Sequence, residues 1–461
     1  MFFFSTRKES GFYNYIIKAI KLKIKKKYNT KVIFYDTPKK ITFSFLCIFF
    51  FNLINLNLFR PKKIIEIRYK GCLIGRHVLA HVYRDLSSYR NIYFFYKNLI
   101  KSFLIGGLII DHAYQLSKKV KFVYIDHIGY LNGLYFKVFL INKKIIFSNG
   151  YPRGLYHIDT RKGFVNNLEI EDIIKIQKNI GYNQKSKYKK NRFINEIIKN
   201  PKLVPWMKST KFVKTKKKFL KDLKNISHVI YTHSFLDGQL WFGYDGFLNM
   251  KDWLEFTIKK LDNNKNKVIV KAHPNFYNKK ISEYSNIDKK IFQKLFNKYN
   301  SKNIIFLNKP VENNILLKSL KKNTILISHH GTSLLEGMNS GFKCISSFAT
   351  IWSDKFHMAN NWKTKSEYEK ILNKNFKQLY FSNSNDLNEV STKLFNHPYS
   401  EYGKKFWYNI VIKKLKKDKR LYLKLMKTNE RYLISSDKIT KDITNSLQEG
   451  IEEIKLNKKI I

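Results

Sequence analysis

Two stretches of this chain place acid–base and anion-binding side chains where an apolar run ends. The first, Lys267-Val-Ile-Val-Lys-Ala-His-Pro274, closes a β-branched run on Lys271, His273 and Pro274. The second, Ile325-Leu-Ile-Ser-His-His-Gly-Thr-Ser-Leu-Leu-Glu336, empties through Ser328, His329, His330 and Gly331 into a segment carrying Thr332, Ser333 and Glu336. These are the parts of a phosphate-and-ribose site. His329-His330-Gly331 allows a tight turn, Thr332 or Ser333 can cap a helix whose first amides are free for an anion, and Glu336 falls about one turn in, within reach of a sugar hydroxyl. Plain helix capping accounts for Ser328, Thr332 and Ser333 as well. An ordinary exposed carboxylate accounts less well for Glu336, because Leu334, Leu335 and Met338 around it are apolar.

Such residues work only if a scaffold brings them together. The alternation of apolar runs predicts strands at His228–Tyr231, Val268–Val270, Ile304–Leu307, Ile325–Ser328 and Cys344–Ser347. Helices are predicted at Lys251–Leu261, Ile281–Tyr299, Val311–Leu320 and Ser333–Asn339. Strands alternating with helices imply a doubly wound parallel sheet, in which ligands collect outside the carboxyl ends of the strands. His273 and His330, 57 positions apart in sequence, are therefore expected to share one crevice.

The first half repeats the theme less cleanly. Val32–Asp36 and Ile64–Arg68 read as strands, with further short runs at Ile92–Phe95 and Lys121–Ile125, so a second α/β domain is expected. At 461 residues the chain exceeds one typical domain. The division expected is an N-terminal extension (1–29), a first domain (30–220), a second domain (221–395) and a helical C-terminal tail (396–461). Ile41–Phe59 carries no charge over nineteen residues, long enough to consider a membrane span. Asn52, Asn55 and Asn57 in its second half and basic residues at both ends favour instead a buried helix crossing between the strands at Val32 and Ile64.

With 88 Lys and Arg against 34 Asp and Glu, the formal net charge is +54. Nucleic acid is the first partner such a balance suggests. The charge is scattered, however, and the excess of Lys, Asn, Ile, Phe and Tyr matches an adenine- and thymine-rich coding sequence. No zinc spacing, basic heptad region or RNA-recognition aromatic pattern is present, so no specific nucleic-acid partner is expected. A strongly basic chain is still drawn to the anionic inner face of a membrane, and a cytoplasmic protein peripheral to that face is the expectation. Cys47, Cys72 and Cys344 lack paired spacing and suit a reducing compartment, with Cys47 and Cys344 read as small core residues.

Taken together, Lys271-Ala-His-Pro274, Ser328-His-His-Gly-Thr332 with Glu336 and Gly341, Tyr231-Thr-His-Ser-Phe-Leu-Asp237 and Asp252-Trp-Leu-Glu-Phe-Thr257 resemble the capsule polysaccharide biosynthesis family of bacterial glycosyltransferases. Arg68-Tyr-Lys-Gly71 with Gly75-Arg76 and Tyr83-Arg84, and Tyr124 through Gly133 followed by Gly150-Tyr-Pro-Arg-Gly154, extend the resemblance across most of residues 64–350. The resemblance implies a GT-B architecture, two Rossmann-like domains facing a cleft, with a nucleotide-sugar donor held mainly by the second. It implies transfer to a polysaccharide or glycolipid acceptor without cofactor or metal. Charge developing on the leaving phosphate would be met by Lys271, His273 and the amides at Thr332 and Ser333. His273 is then a phosphate donor or general acid, with Ser328, His330, Gly331, Thr332 and Ser333 lining the phosphates and Glu336 on the ribose.

The acceptor side is less defined. His233 and Asp237 from the second domain, or Asp126 and His127 from the first, could deprotonate an acceptor hydroxyl. Each of the four equally suits a loop residue making local hydrogen bonds. Trp352 is a better candidate than Trp241 or Trp253 for lining a donor cleft. A polyol-phosphate transferase of the teichoic-acid type would use similar residues. A basic protein that simply coats nucleic acid or membrane would not need the Lys271, His273 and Glu336 set.

Overall fold

Short runs rich in Val, Ile and Phe pair into two sheets in the computed structural model. It describes residues 2–5, 32–34, 41–120, 122–125, 129–142, 144–150, 154–159, 223–238, 240, 243–262, 267–277, 282–348, 350 and 357–387. The first sheet contains β1 (Phe2–Ser5), β2 (Val32–Phe34), β3 (Phe122–Ile125), β4 (Ile145–Gly150) and β5 (Gly154–Asp159) in the order β2-β1-β3-β4-β5. Only the β4–β5 pair is antiparallel. Phe2–Ser5, within the stretch that the sequence sets apart as an N-terminal extension, is thus an inner strand.

Among the described residues, the longer helices that accompany this sheet are α1 (Phe43–Ile54), α2 (Ile74–Arg84), α3 (Ile92–Ser117) and α4 (Asn132–Ile141). The strand expected at Ile64–Arg68 is corrected here, and the short run at Ile92–Phe95 proves helical. Pro61, well suited to a first helical position, opens a helical turn over Pro61–Ile64, and the chain then turns at residues 65–66 and runs irregularly through Arg68. Ile92–Phe95 is the first turn of α3, started by Asn91, whose side chain accepts the Phe94 N–H at 3.0 Å. By length and composition α3 could cross a membrane. Its Leu99, Phe103, Ile110 and Ala113 are buried in the core with α2 and α4, and it carries the buried Asp111. That carboxylate accepts from Tyr69 Oη at 2.5 Å, Lys70 Nζ at 2.6 Å and Thr42 Oγ1 at 2.8 Å.

The segment expected to be a buried crossover helix is α1, and it is only half buried. Phe45, Phe49 and Asn52 face the core, whereas Phe43, Phe50, Phe51 and Ile54 are exposed. Cys47 is exposed on it too, correcting its reading as a core residue, while Cys72 and Cys344 are buried.

The second sheet is wholly parallel and holds β6 (Ile226–Tyr231), β7 (Lys267–Lys271), β8 (Ile304–Leu307), β9 (Ile325–Ser328), β10 (Lys343–Ser347) and β11 (Asn360–Trp362). The order is β11-β10-β9-β6-β7-β8. Helices α5 (Met250–Asp262), α6 (Ser282–Tyr299), α7 (Asn313–Ser319), α8 (Ser333–Asn339) and α9 (Lys365–Leu372) complete it. The expected elements from residue 228 to 347 all recur within a few residues. The two added at the end, β11 and α9, are short and carry weak patterns. Both sheet faces are covered, one by a cluster including Leu316, Leu326 and Leu335, the other by one including Trp253, Leu254 and Trp362. Counting strands from β6, the order is the 3-2-1-4-5-6 of a doubly wound α/β fold. The tail 396–461, Asp126, His127 and Trp352 lie outside the described residues.

Candidate functional site

In a 3-2-1-4-5-6 sheet the chain reverses direction across the sheet between the first and fourth strands, which opens a crevice at their carboxyl ends. Here those strands are β6 and β9, with β7 beside β6. β6 runs into Thr232-His233, β7 into Ala272-His273 and β9 into His329-His330, so register alone brings four histidines to one edge. The His233 ring centroid lies 4.2 Å from that of His330 and 5.4 Å from that of His273.

Burial sets the protonation of this cluster. It is the main force lowering the pKa of His233, and it holds His273 and His330 well below the ordinary histidine value, with the neighbouring imidazoles adding to the effect. At neutral pH these rings are neutral. The backbone N–H of Asn275 donates to His273 Nδ1 at 3.2 Å, which leaves the proton of the neutral ring on Nε2 as a donor. His329 is held differently: its Nε2 meets the buried Asp245 Oδ2 at 2.9 Å, its Nδ1 meets His330 Nδ1 at 2.9 Å, and Trp253 and Trp362 stand edge-on to its ring. Burial opposes a charge on Asp245, but the facing His329 outweighs it and keeps the carboxyl below its usual range. No group of three or more His, Cys, Asp or Glu among the described residues is arranged to hold a metal ion.

Lys271 supplies positive charge below the histidines. Its side chain is 5% exposed, its Nζ lies 5.7 Å from the Tyr231 ring, and no carboxylate among the described residues comes within ion-pair distance. Burial lowers its pKa to about 8, with Glu336 acting in the opposite sense, so the ammonium persists at neutral pH. Glu336 accepts from Asn313 Nδ2 at 2.9 Å, and burial raises its pKa against the pull of Asn313 and Lys271. Beside this pair the Tyr231 hydroxyl and Asn313 Oδ1 are buried without a well-formed hydrogen bond. An incompletely neutralised cation with unsatisfied polar atoms around it is suited to an anionic, hydroxyl-bearing ligand.

The turn between β9 and α8 divides the residues expected to touch phosphate. Ser328 is fully buried; its Oγ donates to the Tyr231 carbonyl at 3.1 Å and accepts the Gly331 N–H at 3.2 Å, so this hydroxyl braces the turn. A Cβ on Gly331 would sit 2.6 Å from Ser328 Oγ and 3.2 Å from Ser333 Oγ, which explains the glycine. Thr332 precedes α8 in helical conformation and its side chain makes no capping bond. With α8 only seven residues long, the Lys271 ammonium is a larger source of positive potential than the helix end.

Asp237 reaches the first half of the chain while its charge still acts on His233. Its Oδ1 accepts from Tyr130 Oη and from Arg84 Nη1 at 3.3 Å, while Arg84 stacks over the Tyr130 ring at 4.5 Å. Tyr130 Oη also accepts the Gly238 N–H at 3.2 Å. Gly238 has φ +76°, and a Cβ there would lie 2.8 Å from His330 Nε2. This loop is fixed from beneath by Asp288 of α6, which accepts from Ser234 Oγ and Phe235 N, each at 2.7 Å. Burial drives the Asp288 pKa up to about 7. Asp245 and Asp288 carried no local sequence signal, since their partners lie on distant elements, whereas Arg84 and Tyr130 fall in stretches that carry the family resemblance. A separate cleft of about 790 Å³ between α6 and the turn at Leu86–Tyr89 contains none of the expected site residues.

No protein-family model and no curated protein matches the sequence. Among solved structures, the chain is similar to Methanocaldococcus jannaschii UDP-GlcNAc 2-epimerase in complex with UDP-GlcNAc and UDP. The identity is 13%, covering 86% of this chain and 99% of that one, with a TM-score of 0.31. A likeness of that size carries no argument, and the fold assignment rests on strand order.

Proposed function

We propose that the chain is a nucleotide-sugar-dependent glycosyltransferase of GT-B type that transfers to a polysaccharide or glycolipid acceptor. The reading is carried by one observation: His233, His273 and His330, with Lys271 beneath them, converge at the carboxyl ends of β6, β7 and β9. A glycosyl transfer from a nucleoside diphosphate sugar forms a bond from the anomeric carbon to the acceptor oxygen, breaks the bond from that carbon to phosphate oxygen and leaves charge on the departing nucleoside diphosphate. Lys271 stabilises this charge and His273 Nε2–H donates to it, while Glu336 accepts from the ribose. His233, whose burial-lowered pKa keeps it neutral, takes the acceptor proton. Asp237 serves better as the link to Tyr130 and Arg84 than as the base.

The test is the thermal stability of the full chain with CMP, UDP, GDP, CDP and their sugar conjugates, with and without magnesium. A ligand that binds only the folded state raises the midpoint. The expected result is a shift selective for one base, lost in His273→Ala and in Glu336→Ala, with sugar transfer lost alongside. No shift with any nucleotide, or wild-type turnover in both variants, overturns the proposal.

A further inference from the structure

The outer face of α1 is an apolar stripe that the described residues leave uncovered. Phe43, Phe50, Phe51 and Ile54 are 80%, 52%, 63% and 77% exposed, at the spacing of one helix face. The opposite face buries Phe45 and Phe49, so the helix is apolar all round. A helix of this kind belongs in a core, in a membrane or against a partner. Its twelve residues span about 18 Å against the roughly 30 Å of a hydrocarbon core, which rules out a crossing.

A second element with exposed apolar residues meets the chain just after α1. Phe59, in the turn after α1, packs on Tyr96 with ring centroids 5.2 Å apart and accepts from its hydroxyl at 3.3 Å. The first turn of α3 arrives there with Ile92 and Tyr93, 70% and 64% exposed. Basic residues rim both elements: Arg60, Lys62 and Lys63 follow α1, and Arg90 and Lys97 lie over the rings at the start of α3. From residue 41 to 110 the chain carries ten Lys and Arg against Glu66 and Asp85 alone.

We propose that α1 and the first turn of α3 form a docking face for an anionic lipid bilayer, with the aromatic side chains inserted at the depth of the headgroups and the basic rim on the lipid phosphates. Charge decides among occupants. A second copy would bring the same positive rim against itself in a chain of net charge +54, whereas an anionic bilayer offers both an apolar layer and opposite charge. The inference does not depend on the reaction assigned above.

Cys47 makes it testable, because it is exposed on α1 while Cys72 and Cys344 are buried. The full chain is labelled at Cys47 with an environment-sensitive dye and mixed with vesicles of phosphatidylcholine, with and without phosphatidylglycerol. The expected result is a blue shift of the dye with the anionic vesicles, and binding weakened roughly tenfold or more in Phe50→Ser/Phe51→Ser, which leaves every charge in place. Vesicle binding without a dye shift would place the contact on another basic surface and overturn the proposal. A dye shift that grows with protein concentration in the absence of vesicles would assign the face to a second copy and overturn it equally. If the double variant does not fold, the shift on the wild-type chain still decides.

Discussion

Asp245 Oδ2 lies 2.9 Å from His329 Nε2, with Trp253 and Trp362 edge-on to the His329 ring, and His329 passes the contact on to His330 through a 2.9 Å Nδ1–Nδ1 bond. The carboxylate fixes which nitrogen of His329 carries a proton toward it, and so fixes the ring that orients His330. In the proposed site, a histidine placed at the phosphates is thus held by one packed behind it. Asp245→Asn keeps the size of the side chain and removes its charge, leaving His329 paired only with an amide. The expected loss is roughly 1–3 kcal/mol of stability together with weakened nucleotide binding. The Asp245 pKa lies below the ordinary value of 3.8, so its stabilisation is present above that pH and is lost as pH falls below it. Urea unfolding at pH 7 and pH 3 checks this: the difference between wild type and variant should shrink in acid, and an undiminished difference would sink the idea.

The buried imidazoles predict an acid sensitivity at milder pH. His77 is pushed down to about 3 and His228 to about 4, and His233, His273 and His330 are lowered as well, burial being the main cause in each. Below their ordinary value of 6.5 the unfolded chain takes up protons that the folded chain refuses. Stability is therefore full above that pH and falls as pH drops through it, by about 1.4 kcal/mol per pH unit for each group. Asp288 opposes the trend, since a carboxyl raised to about 7 is stabilising when protonated and loses that contribution between pH 3.8 and 7. Denaturant midpoints from pH 8 to pH 5 should fall, and His228→Gln should make the fall shallower. A flat profile would contradict the assignment of neutral buried rings.

Asp288 itself gives a substitution of opposite sign. Its carboxyl holds Ser234 and Phe235 by accepting two hydrogen bonds, a task an amide can share once the Ser234 hydroxyl rotates. Asp288→Asn removes the cost of burying a charge above pH 7 and is expected to be neutral or stabilising there, whereas Asp288→Ala loses roughly 1–3 kcal/mol by orphaning the Phe235 N–H. Thermal midpoints of the two at pH 8 should move apart; equal losses would show that the charge is required.

What could be read in advance follows from how each feature is encoded. Strands buried on both faces appear as unbroken apolar runs, so Ile304–Leu307 and Ile325–Ser328 were legible to the residue. Lys271, His273 and His330 were legible because they end such runs. Their meeting with His233 was only half legible, since it depends on β6 lying between β7 and β9, which the crossovers determine. Asp245 and Asp288 stayed hidden because a carboxylate in a loop or on a helix reveals nothing of a partner 84 or 54 positions away in sequence. In the first half, proline at 61 started a helical turn that ends at Ile64, so the expected strand Ile64–Arg68 did not form, and asparagine at 91 capped a helix over the apolar run Ile92–Phe95. The exposure of α1 is a property of packing that its sequence, apolar on all sides, cannot announce.

The loop over the histidines offers the most local prediction. Gly238 combines φ +76°, which a side chain resists, with a Cβ position 2.8 Å from His330 Nε2 and 3.6 Å from His233 Cε1. Gly238→Ala must therefore both strain the backbone and push His330 out of line, at a cost of roughly 1–3 kcal/mol. Loss of the Asp237 contacts with Tyr130 and Arg84 should follow, because Asp237 is the preceding residue and Gly238 N–H itself donates to Tyr130 Oη. If Asp237 acts as the link between the two halves, Tyr130→Phe and Asp237→Asn each loosen the loop, and the double variant is little worse than either alone. Amide hydrogen exchange across residues 233–238 reads this directly: protection should fall in all three variants. Additive effects of Tyr130→Phe and Asp237→Asn, or protection unchanged in Gly238→Ala, would separate the loop from the link and return Asp237 to the set of candidate bases.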